Sequence, residues 1–328
     1  MKKLGIGVLA GSVALSLAAC GSSGSSDDSG AGEDYPTGDI TNIVSYAAGG
    51  PTDLAGRTIS TAFEDELGVP VVVENVEGAS GAVGSARVVQ ANPDGLTIGT
   101  TTTSAISRVP LVEDVGYTVD DVKAIGVITE GPGVFFVQDD SPYETIDDLV
   151  AAAKADPGTV TVGAAGAQVP QAVEVLRMGS EYDTEFQVVP FQGDAPSLTA
   201  LLGGNVDAIV PGFNEGVEAQ YEAGEIRPLA IMGDQRREYL PDTPTLAESG
   251  FDDLIYGVSS FILIAPKDTP ESIVATLEEA LESALSEPAV RDSLGALVPE
   301  EFTGSEELQQ EMTDEVATLK PVLEQLFG

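Results

Sequence analysis

Ile40-Thr41-Asn42-Ile43-Val44-Ser45-Tyr46-Ala47-Ala48-Gly49-Gly50-Pro51-Thr52-Asp53 is the stretch whose reading decides the fold. Residues 40–46 form a short β-type run, the glycines break it, and Ala55, Ile59, Ala62, Phe63 and Leu67 then recur at helical spacing. Pro51 suits a first helical turn, because its missing N–H would have no partner there, and Gly68 stops the helix before residues 69–73 begin a second strand. Two glycines at a strand's end leave main-chain N–H groups unobstructed, and the helix beginning at Pro51 or Thr52 points its positive end into the same space. That corner suits an anion. Charge-assisted hydrogen bonds contribute about 1.5–3 kcal/mol each, so two or three fix a carboxylate without lysine or arginine. Taken alone, the segment is equally well explained as a glycine turn serving compactness.

Working outward, the pattern repeats. Residues 78–90 read as a loop leading into a helix, Pro93-Asp94-Gly95 as a turn, and residues 96–100 as a strand running into Thr101-Thr102-Thr103-Ser104. A second set follows, with strands at 134–137, 159–163, 186–190, 208–210 and 228–232 and helices at 146–155, 171–178, 196–202 and 217–223. Thr145 and Asp148 approximate a capping box at the first of these helices. An apolar strand at 261–265 returns, and the tail is helical at 271–285, 289–297 and 305–326. Alternating strands and helices imply largely parallel α/β sheets with ligands at the carboxyl ends of the strands. Two such sets plus a return strand predict two lobes joined by two hinge crossings, near 125–137 and 257–265. Lobe 1 is then 39–133 plus 262–328, lobe 2 is 134–261, and the cleft between them is the expected ligand site.

The N-terminus gives the location. Lys2 and Lys3 precede an apolar run at 4–19 that ends Leu17-Ala18-Ala19-Cys20, which reads as an export signal over residues 1–19 and resembles that of a bacterial lipoprotein. The resemblance implies a lipidated Cys20 as the mature N-terminus, anchored at the outer face of the cytoplasmic membrane; an ordinary secreted protein is the alternative. Residues 20–38, rich in Gly, Ser and Asp, read as a tether. Cys20 is the one cysteine, so lipidation leaves no thiol for a disulfide, a metal or a nucleophile. Of 14 basic residues, removal of the signal takes Lys2 and Lys3, leaving 12 against 54 acidic residues and a net charge of −42. Such a surface repels nucleic acid and anionic lipid. Adaptation to salt and simple solubility both account for it.

With no histidine in the chain, Ser-His-Asp and Cys-His arrangements and imidazole metal sites are excluded, and an enzyme is not expected. Neighbouring acids such as Asp147-Asp148 arise by composition. Gly78-Ala79-Ser80-Gly81-Ala82-Val83-Gly84 resembles a dinucleotide fingerprint with the wrong spacing and no acid ending a following strand, so no cofactor is expected. A loop like the first, Gly163-Ala164-Ala165-Gly166-Ala167-Gln168, follows a strand of the second lobe and precedes the helix at Pro170. Phe191-Gln192-Gly193-Asp194 ends another strand there, with Phe191 suited to cover a ligand and Gln192 or Asp194 to meet its polar end; helix capping is the competing role for Asp194.

In this order of segments the chain resembles the substrate-binding proteins of tripartite tricarboxylate transporters. The likeness rests on residues 43–53, Val71-Val72-Val73-Glu74-Asn75 with Gly78 and Gly81, Asn92-Pro93-Asp94-Gly95, Val189-Pro190-Phe191-Gln192-Gly193, Gly203-Gly204-Asn205-Val206-Asp207, and Leu240-Pro241-Asp242-Thr243-Pro244-Thr245 with Glu248-Ser249-Gly250-Phe251. It implies a periplasmic-binding-protein-like Venus-flytrap fold of type II, a small carboxylate-bearing ligand, a monomeric receptor, and delivery to a large and a small integral membrane subunit. Carried over by position, Tyr46, Ala47, Ala48, Gly49, Gly50, Thr52 and Asp53 form a first binding loop. Thr101, Thr102 and Thr103 line the floor, Ala165, Gly166, Ala167 and Gln168 form the second loop, and Phe191, Gly193 and Asp194 close the cleft.

Two departures bear on the ligand. A serine-rich loop ending Gly-His in the family is Ala-rich here with Gln168, and Tyr-Lys-Gly or Tyr-Arg-Gly is replaced by Phe191-Gln192-Gly193. Losing a hydroxyl and a basic residue favours a monocarboxylate or amino-acid-like ligand over citrate. A receptor for an ATP-driven importer and, from another class, a secreted carboxylate-dependent hydrolase are the competing readings.

Overall fold

Pro51 and Gly68 bracket the first helix as the sequence predicts. Ile40–Val44 (β1) buries Ile40, Ile43 and Val44, and the chain leaves the sheet through the glycine corner into Pro51–Leu67 (α1). Gly68 ends that helix at φ 71°, its N–H donating to the Glu64 carbonyl. Val71–Asn75 (β2), Ala82–Val89 (α2) and Thr97–Thr102 (β3) follow, then two short helices, Thr103–Ser107 (α3) and Val109–Val112 (α4), and the strand Val122–Pro132 (β4). The computed structural model describes residues 35–167, 169–233 and 235–327; the export signal, Cys20, most of the tether and Gln168 lie outside the described residues.

The chain then changes sheets. Val134–Gln138 (β5), Ile146–Ala155 (α5), Thr161–Ala164 (β6), Pro170–Tyr182 (α6), Gln187–Pro190 (β7), Asp194–Leu202 (α7), Ala208–Ile209 (β8), Glu215–Glu222 (α8) and Ile226–Ile231 (β9) build the second lobe. The capping box at α5 is formed: Thr145 accepts from the Asp148 N–H and the Asp148 carboxylate accepts from the Thr145 N–H. Val258–Pro266 (β10) returns, and Glu271–Ser286 (α9), Pro288–Leu294 (α10) and Ser305–Phe327 (α11) end the chain.

Each lobe holds one five-stranded sheet, ordered β2-β1-β3-β10-β4 and β7-β6-β8-β5-β9. The sheets are mixed, not largely parallel. β1 runs parallel to β2 and β3, and β6 to β7 and β8, whereas β10 is antiparallel to β3 and β4, and β5 to β8 and β9. The antiparallel strands lie next to the crossings, where the chain enters a sheet from the other lobe instead of through a helix on its own. α1, α9 and α10 pack Ile59, Phe63, Val274, Leu277 and Val290 over one face of the first sheet, while α2 and α11 cover the other with Val88, Leu308 and Met312.

Gly133, between β4 and β5, marks one crossing. Its N–H donates to the Gly257 carbonyl at 2.8 Å and its carbonyl accepts from the Met232 N–H at 2.7 Å. A Cβ at Gly133 would lie 2.4 Å from Gln171 Cγ, so only glycine lets the chain pass there. α11 also bridges the lobes: Leu319 and Leu323 pack with Val173 of α6 and with Leu111 and Tyr256.

Candidate functional site

Two cavities border the junction of the lobes, and their chemistry is opposite. The hinge cavity, about 260 Å³, is lined by Tyr256, Val258 and Ser260 of the return crossing and by seven acids, Glu130, Glu300, Glu301, Glu307, Glu311, Asp314 and Glu315, against two arginines, Arg108 paired with Glu315 and Arg237 with Glu130. The interlobe cavity, about 460 Å³, is lined by Tyr46, Ser80, Ser104, Arg108, Val109 and Val112 from the first lobe. Facing them are Gly166, Ala167, Val169, Pro170 and Val173 from the second lobe, with Leu323 of α11. In a chain with 54 acidic residues, none of these described lining residues is acidic. An anion entering the hinge cavity meets repulsion; one entering the interlobe cavity meets hydroxyls, main chain and the N-terminal end of α6.

The first corner is built around its own carboxylate. Asp53, 4% exposed in the first turn of α1, accepts from the Gly49 N–H at 2.8 Å and Arg57 Nε at 2.9 Å through Oδ2, and from Asn75 Nδ2 at 2.8 Å through Oδ1. Burial alone would push this carboxyl up, but the bonds from Arg57, Gly49 and Asn75 outweigh it and hold the pKa at about 2. Asn75 also donates to the Tyr46 carbonyl at 3.0 Å, tying β2 to the loop. Gly49 sits at φ 82°, the left-handed region that the turn of the N–H toward Asp53 uses.

Tyr46 leaves this corner for the cavity. Its hydroxyl donates to the Ser80 carbonyl at 2.8 Å and lies 2.9 Å from Thr102 Oγ1; burial raises its pKa, partly offset by the Thr102 bond. Gly81, at φ 93°, makes room for the ring, since a Cβ there would be 2.9 Å from it. The glycine run at 78–84 therefore serves packing: Gly84 brings α2 against Ser45 in the same way, at 2.7 Å from Cα.

Of the residues the sequence puts at the ligand, the structure brings Tyr46, Gly166 and Ala167 together around the interlobe cavity. Ala47 and Ala48 are exposed in the first loop, the Gly50 N–H donates to the Ala47 carbonyl, and Thr52 and Asp53 are buried in the first turn of α1. Thr101 faces the lobe interior, 3.0 Å from Ser85 Oγ, and Thr102 is used in holding Tyr46 and capping α3 through the Ala105 N–H. Thr103 lines the hinge cavity. Ala165 is half-buried beside Gly166. Phe191 packs over Gly163, Gly193 ends the loop at φ 114°, and Asp194 does not cap α7: its carboxylate accepts from Asn214 Nδ2 at 3.1 Å, with burial raising its pKa. Ser80, Ser104, Arg108 and Leu323 are lining residues that the sequence reading missed. Ser104 adjoins the Thr101-Thr103 run that pointed there; Arg108 and Leu323 carry no local signal.

The chain matches the model of the tripartite tricarboxylate transporter family receptor over residues 55–327. It is 33% identical over 297 residues to a UPF0065 protein in the TAR-I ttuE-ttuC' intergenic region of Agrobacterium vitis, spanning 89% of this chain and 85% of that one. The crystal structure of a TctC solute binding protein from Polaromonas, without ligand, superposes with a TM-score of 0.83 at 30% identity, covering 89% of this chain and all of that one. MatC from Rhodopseudomonas palustris with bound malate superposes at 0.64 with 28% identity, over 88% of this chain and 100% of that one.

Proposed function

Because the chain belongs to the tripartite tricarboxylate transporter receptor family, we propose that it captures a small carboxylate-bearing ligand between its lobes and delivers it, chemically unchanged, to the integral membrane subunits of such a transporter. The observation that carries this reading is the interlobe cavity, acid-free among the described residues and faced by a glycine-containing corner and the N-terminal end of α6, in a protein of net charge −40. The malate held by MatC supports the ligand class. Family membership favours a secondary tripartite system over an ATP-driven importer. Apolar Val109, Val112, Val173 and Leu323 would cover the carbon skeleton while main-chain N–H groups and hydroxyls meet the acid.

The anchored form of the receptor belongs to the same proposal: Cys20 carries the lipid, residues 20–38 tether a monomer, and the lobes comprise 39–133 with 262–328, and 134–261. The pairing of Val258 to Phe261 with β4 supports moving the second boundary to Gly257. A thermal-shift screen of the chain from Asp34 onward against small carboxylates tests the function. A ligand at 100 times its Kd adds about 2.7 kcal/mol to the native state. No stabilisation by any carboxylate, with stabilisation by neutral or cationic solutes instead, would refute the reading.

A further inference from the structure

The wall of the interlobe cavity divides by chemistry. On one side stand the hydroxyls of Tyr46 and Ser80, the first donating to the carbonyl of the second, with Ser104 and the main chain at Gly166 and Ala167. The other side is apolar. Val109 and Val112 lie one turn apart on α4, Val169, Pro170 and Val173 lead into and along α6, and Leu323 comes from α11. The three helices meet where Leu111 packs on Val173, Leu319 and Leu323, so this apolar side is continuous. Val112 stands out of it at 38% exposed. A single exposed valine is ordinary, but one set in a concave wall beside five other apolar residues marks surface that an apolar partner would cover.

Charge is what this wall lacks. Arg108 is the one charged residue among the described lining residues, and it is already engaged: Nε and Nη2 donate to Glu315, Nη2 also donates to the Tyr256 carbonyl, and Nη1 is buried. A carboxylate beside Tyr46 and Ser80 meets hydroxyls and main chain. A second carboxylate on the apolar side would leave water for valine, proline and leucine side chains, with no donor to replace it. An ammonium group fares no better, because no acid lines the cavity among the described residues.

We infer that the cleft selects a monocarboxylate with an apolar hydrocarbon tail, its acid on the Tyr46–Ser80 side and its tail laid against α4, α6 and α11, with Val112 as a specificity-determining residue. This rests on the reading of the cleft as a carboxylate site and names the ligand class within it. The monocarboxylate expectation drawn from Phe191-Gln192-Gly193 thereby gains a ground in the cavity wall, and its amino-acid-like alternative falls away.

Calorimetry with hexanoate, adipate, norleucine and hexanamide, all of six carbons, separates charge from size. The wild type is expected to bind hexanoate about 10-fold or more tightly than adipate, which carries a second carboxylate at the tail end, and than norleucine, which adds an ammonium. Hexanamide, without the charge, should bind about 10-fold or more weakly than hexanoate. Val112→Lys supplies a cation at an exposed position of the wall and should bring adipate level with hexanoate or ahead of it. Adipate or norleucine binding the wild type as tightly as hexanoate overturns the inference and leaves a carboxylate receptor standing. An unchanged ratio of hexanoate to adipate affinity in folded V112K, judged by its circular dichroism, overturns the placement of the tail against α4. Hexanamide binding as tightly as hexanoate, or a wild type that binds none of the carboxylates, malate included, overturns the functional reading beneath it.

Discussion

The two glycine-containing corners look alike in sequence and differ in what they leave unsatisfied. Both open a helix with proline in its first turn: Pro51-Thr52-Asp53 at α1 and Pro170-Gln171-Ala172 at α6. At the third position one has a carboxylate and the other a methyl group. Asp53 takes the Gly49 N–H, Arg57 and Asn75, so the first corner carries its own anion and is held rigid by it. α6 has no side-chain cap at Val169, and the loop before it borders the cavity through Gly166 and Ala167. An unobstructed N–H is free to become a binding group only where the protein does not fill it first.

The strongest way to break this contrast is to remove the resident anion. Asp53→Ala leaves Gly49 N–H, Asn75 and Arg57 without their shared acceptor, three partners around one 4%-exposed carboxylate. The expected cost is about 2–4 kcal/mol, read as a lower midpoint in urea denaturation. If Asp53 is structural, carboxylate affinity below the transition stays within a few-fold of wild type. A stable variant with lost affinity would make the first corner a ligand site after all. The converse experiment places an acid where α6 lacks one. Ala167→Asp puts a carboxylate at the exposed loop position that leads into α6 and borders the cavity, where it competes with the ligand for the second corner. Affinity for hexanoate is expected to fall about 100-fold, worth about 2.7 kcal/mol, in a protein whose circular dichroism is unchanged. Unaltered calorimetric affinity would show that this corner does not hold the ligand.

Most of the scaffold was legible because its signals are local. Pro51, Gly68 and the Thr145–Asp148 box each act within one helical turn, and the strands ending in glycine loops are recognisable from adjacent residues. β4 was not: residues 125–137 read as a crossing, whereas Val122–Pro132 is an eleven-residue strand. Its residues from Ala124 to Thr129 are buried whichever way they face, so no alternation appears, and Gly126 and Gly131 interrupt the β-type run. The glycine corners proposed for the site are visible for the same local reason, whereas two of the groups that engage Asp53, Arg57 and Asn75, lie beyond the run that pointed to it. Arg108 was invisible because its meaning depends on Glu315, 207 residues away, and the place of Leu323 on the packing of α11 across both lobes. Tertiary partnership of that kind leaves no trace in spacing.

The smallest expected effect sharpens the contrast through pH, because each region holds a buried carboxyl displaced in the opposite direction. Glu174 is fully buried, and desolvation pushes it up to about 7 despite the attraction of Arg177 on its own helix and Arg108 beyond; Glu315 adds repulsion. Asp53 is held at about 2. The signs follow from proton counts in the two states. An unfolded Glu ionises near 4.3, so between about pH 4.3 and 7 the native protein binds the extra proton at Glu174 and stability falls as pH rises, levelling above 7. Asp53 contributes fully above the unfolded value near 3.9, and its contribution is lost as pH falls through about 2. Urea midpoints measured from pH 2 to 8 should therefore fall at both ends. Within the upper window, the slope from Glu174 is at most about 1.4 kcal/mol per pH unit. Glu174→Gln removes the titrating group and should flatten the upper limb alone, whereas Asp53→Asn should flatten the lower limb alone. A Glu174→Gln profile that still declines between pH 5 and 7 would assign that limb to other carboxyls and leave the buried acid of α6 ionised throughout, paired with Arg177 as firmly as Asp53 is with its corner.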